Sequence, residues 1–430
     1  TMGVPLFQEQ LMQIAMTVGG CSGDDADLLR RAMGSKRGIE KIERLEAKLY
    51  AGMAEHGITG QLADDIYTRI QSFASFGFAE SHAISFAMLV YASSWLKLHY
   101  PAAFLAGLLR AQPMGFYAPQ SLVADARRHG VEVRRPDVQR SQTHADLEPL
   151  LETCAGPTGL DSCRDHDQRE VPPFDAEADH RLGDHRRDGH HAVRLGLVSV
   201  QQIGEADAQR IVAARRERPF RDMTDVARRA RLSVTQMESL ATAGAFESFG
   251  LSRRQSLWNA GYIERLDQIE GSGVGASPPE MLPGMSEVEV TTADLWATGI
   301  SPQEHPFQHL RSLLRDHGVL AVSDLARHEP QRRVRVAGLI THRQRPATAG
   351  GVTFLNLEDE TGMLNVVVFE SVWRRHRRVA RGAAGVVICG VLEHSDGAVN
   401  LKAESLERIE TLYPQTAVAL PAKHRARDFR

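Results

Sequence analysis

The feature that most constrains this chain is a change of hydrophobic period along its length. Residues 1–112 carry apolar positions at helical spacing, as in Phe7, Leu11, Ile14 and Ala15. Residues 331–411 alternate with period 2, as in Val334, Val336 and Ile340 set against Arg333 and Arg335. One core cannot serve both patterns, so the 430 residues divide into several domains. The predicted fold is multidomain: a mainly α-helical region followed by a small all-β barrel.

Punctuation locates the helices. Ser22-Gly-Asp-Asp25 has the form of a capping box, with Asp in place of Glu, and launches a helix that Gly34 ends. Further helices are predicted over 41–56, 61–73 and 81–110, the last broken at Pro101. The uncharged run Ala83 to Leu96, 14 residues, is too short to span a bilayer and is predicted to be a buried helix. A helix over 120–129 and a short strand at 131–133 follow. Period is lost over 143–191, which is predicted to be an irregular linker or insertion. Cys163 with His166, His180, His185, His190 and His191 falls here, and their spacing fits no metal-ligand template. Short helices with glycine turns occupy 192–262, and a Gly/Pro-rich linker with helices covers 263–330. In 331–411 five strands, with a helix at 370–379 between the third and fourth, have the order of an OB barrel. A basic tail, 412–430, closes the chain.

Composition sets limits. The net charge is −3, so nucleic-acid contact must come from local patches. The four cysteines form no CxxC pair, which argues against a zinc ribbon or a disulfide framework and suits the cytoplasm. The Thr-Met-Gly opening runs straight into apolar periodic sequence, as expected of a piece of a longer protein.

Four motifs in the helical region occur in a specific order. They are Phe7-Gln-Glu-Gln-Leu-Met-Gln13, Ala26-Asp-Leu-Leu-Arg-Arg-Ala-Met-Gly34, Gly77-Phe-Ala-Glu-Ser-His-Ala83 and Trp95-Leu-Lys-Leu-His-Tyr-Pro101. In this order they resemble the fingers of the DnaE-type, C-family bacterial DNA polymerases. Gln112 to Tyr117, Arg127 to Val131 and Pro136 to Val138 resemble its error-prone, damage-inducible ImuC-type branch. The resemblance implies a fingers domain over 1–140 that binds dNTPs, with Arg30, Arg31, Lys36 and Arg37 near the triphosphate and Gly77, Ser81 and His82 lining the nucleotide side. From charge alone the four cations also suit a solvated helix face. The parent implied is an error-prone DNA-directed DNA polymerase, a nucleotidyltransferase of translesion synthesis, with Mg2+ as its cofactor. Its metal-binding aspartates belong to a palm preceding the fingers. No Asp-x-Asp pair placed in a strand occurs here, so this stretch alone is expected to bind no metal and to be inactive.

Two further regions point to DNA. Val198 to Ile211 has a helix, glycine turn, helix pattern around Gly204, the signature of a helix-hairpin-helix that contacts backbone without reading sequence. A second, degenerate unit covers 232–246. The barrel holds 12 Lys/Arg against nine Asp/Glu, with Arg343, Arg345, Phe354, Phe369, Trp373, Arg374 and Arg375 as DNA-binding candidates. The same aromatics also suit a barrel core. Expected partners are primer-template DNA, dNTPs and a Y-family-like accessory protein, with no membrane. Direct sliding-clamp binding is not expected, because Thr291 to Trp296 lacks the leading Gln of a clamp-binding peptide. The competing reading is a non-catalytic single-stranded or primed DNA-binding module left from a truncated polymerase.

Overall fold

The structure is a computed structural model that describes residues 5–33, 38–73, 78–115, 117–150, 186–266, 282–346, 349–395, 398–414 and 427–429. It divides into two compact units, Thr1–Trp95 and Leu96–Arg430.

The first unit is helical: α1 (Gln8–Thr17), α2 (Gly23–Ala32), α3 (Gly38–Glu43), α4 (Glu46–Glu55), α5 (Gln61–Phe73) and most of α6 (Glu80–His99). The capping box at α2 is present: Ser22 Oγ accepts from the Asp25 amide at 3.3 Å, and the Asp25 carboxylate accepts from the Ser22 amide at 2.8 Å. The predicted helix over 41–56 is two helices, α3 and α4, parted by a turn at Arg44-Leu45. Leu11, Leu29, Ile42, Leu49, Met53 and Ile70 form the core. Gly52 is required there, because a Cβ would lie 2.1 Å from the Gly19 carbonyl oxygen.

The helix expected to be buried, α6, is helical as predicted but not buried. Phe86, Met88, Leu89, Val90 and Tyr91 are exposed. The helix is apolar on every side, so no single face directs it inward, and it finds little cover among the described residues. No helix among those residues is long and apolar enough to cross a membrane.

The second unit starts with α7 (Pro101–Arg110), whose first residue is the predicted proline break. α8 (Pro119–Arg128), β1 (Val133–Arg134), β2 (Asp146–Pro149) and β3 (His191–Arg194) follow. The strands form a sheet of order β1-β3-β2, parallel at β1–β3 and antiparallel at β2–β3. This corrects the reading of 143–191 as wholly irregular: its two ends are strands, while 151–185 lie outside the described residues. The ends pair because Glu148 on β2 gathers arginines from three places. It accepts from Arg134 at 2.5 Å and Arg140 at 3.3 Å, and takes Arg194 through both oxygens.

Next come α9 (Glu205–Glu217), α10 (Met223–Ala230), α11 (Val234–Thr242), α12 (Arg253–Leu266) and α13 (Glu287–Thr298). Their core holds Ile203, Ile211, Val226, Met237, Leu240 and Phe246. Asp294 on α13 is 2% exposed and is gripped by two buried guanidiniums. Arg135 reaches it at 3.0 and 2.9 Å, and Arg253 donates to its other face. Gly244 makes room for both arginines: its φ is +76°, and a Cβ would lie 3.0 Å from Arg253 Nε.

The short helix α14 (Arg311–Asp316) leads to the barrel. Its strands are β4 (Arg333–Gln344), β5 (Thr353–Glu358), β6 (Met363–Val368), β7 (Gly385–Ser395) and β8 (Ala398–Arg408), with α15 (Glu370–Gly382) between β6 and β7. The order is β5-β6-β8-β7-β4, and β4 also pairs with β5, closing the barrel. This is the OB arrangement predicted from the alternation. A short helix, α16 (Ile409–Leu412), follows β8, and the tail contributes β9 (Arg427–Phe429), parallel to β4 at His342–Gln344.

The Glu148 cluster carries a pH signature. Burial pushes the Glu148 carboxyl up, but Arg194 and Arg134 outweigh it and hold the group at about 2 against an ordinary value of 4.5. A depressed carboxylate contributes stability that is complete above its unfolded value and is lost as pH falls. The sheet should therefore weaken progressively between pH 4.5 and about 2. Glu148→Gln should cost roughly 2–4 kcal/mol at neutral pH, with the acid limb flattened. Urea unfolding against pH checks this, and a variant with the parent's acid limb would contradict it.

Candidate nucleic-acid interface

In the first unit the tertiary structure brings the first and third motifs together. The Gln8 amide donates to the Phe78 carbonyl at 2.9 Å, and Glu9 Oε2 accepts from the Glu80 amide at 3.0 Å. Glu9 thus caps the first turn of α6. Desolvation opposes ionisation of Glu9, but the Glu80 amide, its other hydrogen bonds and the nearby Arg30 charge hold the carboxyl below its ordinary value. The start of this helix, beside the nucleotide-side candidates Ser81 and His82, is therefore partly filled by the protein's own carboxylate. Ser81 is the second residue of α6. His82 is exposed between two aromatic rings, 5.2 Å from Phe78 and 4.4 Å from Phe86.

Arg30 and Arg31 both pair with Asp27, at 2.8 and 2.6 Å. Both remain exposed, and surface pairs of this kind are weak enough to exchange for a phosphate. Lys36, Arg37 and Gly77 lie outside the described residues.

The carboxylates here do not fit a two-metal centre. Asp25 is occupied by Ser22 and Lys48, whose hydrogen bonds hold it at about 2. Asp64 accepts from the Tyr50 hydroxyl at 2.8 Å.

In the hairpin region the segment before Gly204 is a single 3-10 turn, Leu197–Ser199, rather than a full helix. Gly204 caps α9, but its amide donates to Asp207 at 3.0 Å, so this donor is already used. Cations stand on the flank instead. A cleft of about 460 Å3 is lined by Arg110, Gln142, His144, Gln209 and Arg216. These arginines were not singled out in the sequence because they lie about a hundred residues apart.

The barrel sorts its candidates into two groups. Trp373 is 6% exposed and belongs to the barrel core, which corrects its reading as a base-stacking platform. Its seven-residue spacing from buried Ala380 on α15 is the signal for an inward face. Arg343 is 9% exposed and donates to the Ala380 carbonyl at 2.5 Å, so it braces the barrel. A register shift between Ile340 and His342 breaks the in-out alternation there. Arg345, Arg374 and Arg375 are exposed, with Glu370 3.8 Å from Arg345 and 2.7 Å from Arg374.

The register of β5, β6 and β8 reveals a coherent outer face. Phe354 is opposite Val367, which is opposite Lys402. Asn356, Asn365 and Asn400 form the adjoining row, and Asn365 donates to Asn400 at 2.8 Å. Phe354 is half-buried. Phe369 is 40% exposed, with Lys402 Nζ 4.8 Å from its ring centre. An aromatic plane beside a cation, flanked by amides, offers stacking, charge and hydrogen bonding on one surface. Lys402, Asn365 and Asn400 were missed because pairing across β6 and β8 is invisible without the fold.

Family models match three parts of the chain. The bacterial DNA polymerase III alpha subunit finger domain matches residues 1–57, a helix-hairpin-helix motif matches 130–256, and an OB-fold nucleic acid binding domain matches 334–409. The chain is 53% identical over its whole length to an error-prone DNA polymerase of Cutibacterium acnes, covering 38% of that protein. It is 48% identical to one of Mycolicibacterium paratuberculosis and 47% identical to one of Mycobacterium tuberculosis, covering 35% of each. Over its whole length this chain is similar to bacterial error-prone DNA polymerases. It spans between a third and two fifths of the length of these relatives.

The two groups in the barrel predict different behaviour. Trp373→Ala should lower barrel stability by about 3–5 kcal/mol, the cost of a buried aromatic cavity. Phe369→Ala should change it by less than about 1 kcal/mol. Denaturant unfolding separates them, and equal losses would show that Phe369 is also structural.

Proposed function

We propose that this chain is a segment of an error-prone DNA-directed DNA polymerase acting in translesion synthesis. In this reading its helical N-terminal unit supplies the dNTP-binding fingers, and its helix-hairpin-helix and OB modules hold primer-template DNA. The observation that carries the reading is full-length similarity to such polymerases, with three modules in one order. Arg30 and Arg31, with Lys36 and Arg37 beyond them in sequence, are the proposed triphosphate contacts. His82, Ser81 and Gly77 line the nucleotide side. On the OB barrel, Phe354, Phe369 and Lys402 carry single-stranded template, with Arg345, Arg374 and Arg375 at the rim.

Mg2+ is the proposed ion of the polymerase reaction, held by carboxylates other than those described here. A Y-family-like accessory protein remains the proposed partner. The segment Thr291 to Trp296 supports the view that clamp contact is not direct. It lies within α13, with Thr291 and Asp294 buried, and so presents no extended peptide.

Three measurements test the reading. Purified alone, the chain should give no primer extension with Mg2+ and dNTPs; template-dependent extension would refute the assignment of the metal carboxylates to other residues. Its affinity for single-stranded DNA should fall with salt, with a slope of roughly −0.7 per neutralised phosphate. Lys402→Ala should reduce that slope by about one such contact, and Phe369→Ala should weaken binding about 5- to 150-fold, as for the loss of one stacked base. Binding indifferent to salt and to both substitutions would remove the barrel from the interface. In a polymerase carrying this segment, Arg31→Ala or Lys36→Ala should lower single-nucleotide insertion efficiency roughly 10- to 150-fold, for a lost charge-assisted contact of about 1.5–3 kcal/mol, with DNA affinity little changed. Equal loss of DNA affinity would overturn the triphosphate assignment.

A further inference from the structure

A cluster with metal-ligand chemistry uses none of the residues assigned to nucleic acid. Glu287 is the first residue of α13. Glu304 and His309 follow that helix, His309 within the 3-10 turn Gln308–Leu310. One ligand atom from each residue lies within 4.8 Å of the other two. The His309 side chain is only 8% exposed, and its Nε2 is 3.0 Å from Glu304 Oε2 and 2.9 Å from Thr291 Oγ1.

The electrostatics favour a cation. The Glu304 carboxylate and the Thr291 hydroxyl meet His309 Nε2, and the Glu287 carboxylate brings a second negative charge within 4.8 Å of the pair. Arg127 acts on Glu304 from outside the cluster. A divalent ion about 2.0–2.2 Å from each ligand needs ligand atoms roughly 3–4 Å apart. Ligation through Nε2 requires its lone pair, with the imidazole proton on Nδ1.

We propose that Glu287, Glu304 and His309 form a divalent metal site selective for Zn2+ over Mg2+. One nitrogen and two carboxylate ligands suit a small borderline ion that accepts four-coordination, with water completing the shell. Mg2+ favours an all-oxygen octahedral shell instead. The site ties the start of α13 to the segment leading into the OB barrel. It is independent of the polymerase reading and of the ions of phosphoryl transfer.

The test is calorimetric titration of Zn2+ into the chelator-treated chain, repeated with Glu287→Gln, Glu304→Gln and His309→Gln. Cys163 and the histidines of 163–191 offer competing ligands, so the comparison with the variants decides. We expect one Zn2+ equivalent to vanish in each variant, and a Zn2+-dependent rise in melting temperature to vanish with it. Mg2+ at the same concentration should not substitute. Cobalt substitution should give the intense visible absorption of a tetrahedral site in the parent and not in the variants. Should the His309 or Glu304 variant fail to fold, Glu287→Gln, at an exposed position, decides alone. Unchanged Zn2+ stoichiometry in a folded Glu287→Gln variant, or no Zn2+ binding by the parent, would overturn the proposal.

Discussion

The second unit depends on one buried carboxylate. Asp294 sits on α13, yet its two partners come from distant parts of the chain: Arg135 follows β1 and Arg253 opens α12. Two guanidiniums around one carboxylate leave a net positive charge, which is costly in a dry interior unless the hydrogen bonds are well made. Here three well-aligned bonds of 2.9–3.1 Å from Arg135 are joined by the Arg253 contact. The conformation of Gly244 admits both arginines, so the end of α11 is set by the same interaction. Removing the carboxylate would strand two buried cations.

The same economy of carboxylates explains what the helical unit lacks. Its acidic residues are used in capping and pairing: Glu9 on α6, Asp25 on α2, Asp27 with Arg30 and Arg31, and Asp64 with Tyr50. These four are therefore engaged with the protein's own groups. The exposed apolar helix α6 has the complementary feature, a surface of a kind that proteins ordinarily cover.

In the barrel, function and structure compete for the same residue types. Large aromatics and arginines serve both an OB core and a single-strand surface. Position on the element settles the competition. Trp373 faces inward from α15, while Arg374, Arg375, Arg377 and Arg378 face out. Phe369 caps the same helix from outside and meets Lys402.

The sequence by itself determined what depends on near neighbours. The Ser22 capping box, the limits of α5, the break at Pro101 and the order of the five barrel strands follow from spacing, side-chain capping and backbone restriction, which act over a few residues. The four ordered motifs likewise carried the family resemblance. Tertiary structure decided whatever required distant residues to meet. Glu148 turned an apparently formless stretch into a strand by collecting arginines from β1 and β3. A register shift buried Arg343, strand pairing set Lys402 in line with Phe354 across Val367, and Glu9 filled the start of α6. No local pattern encodes these outcomes, because each is set by charge or packing between segments that only the completed fold brings within a few ångströms.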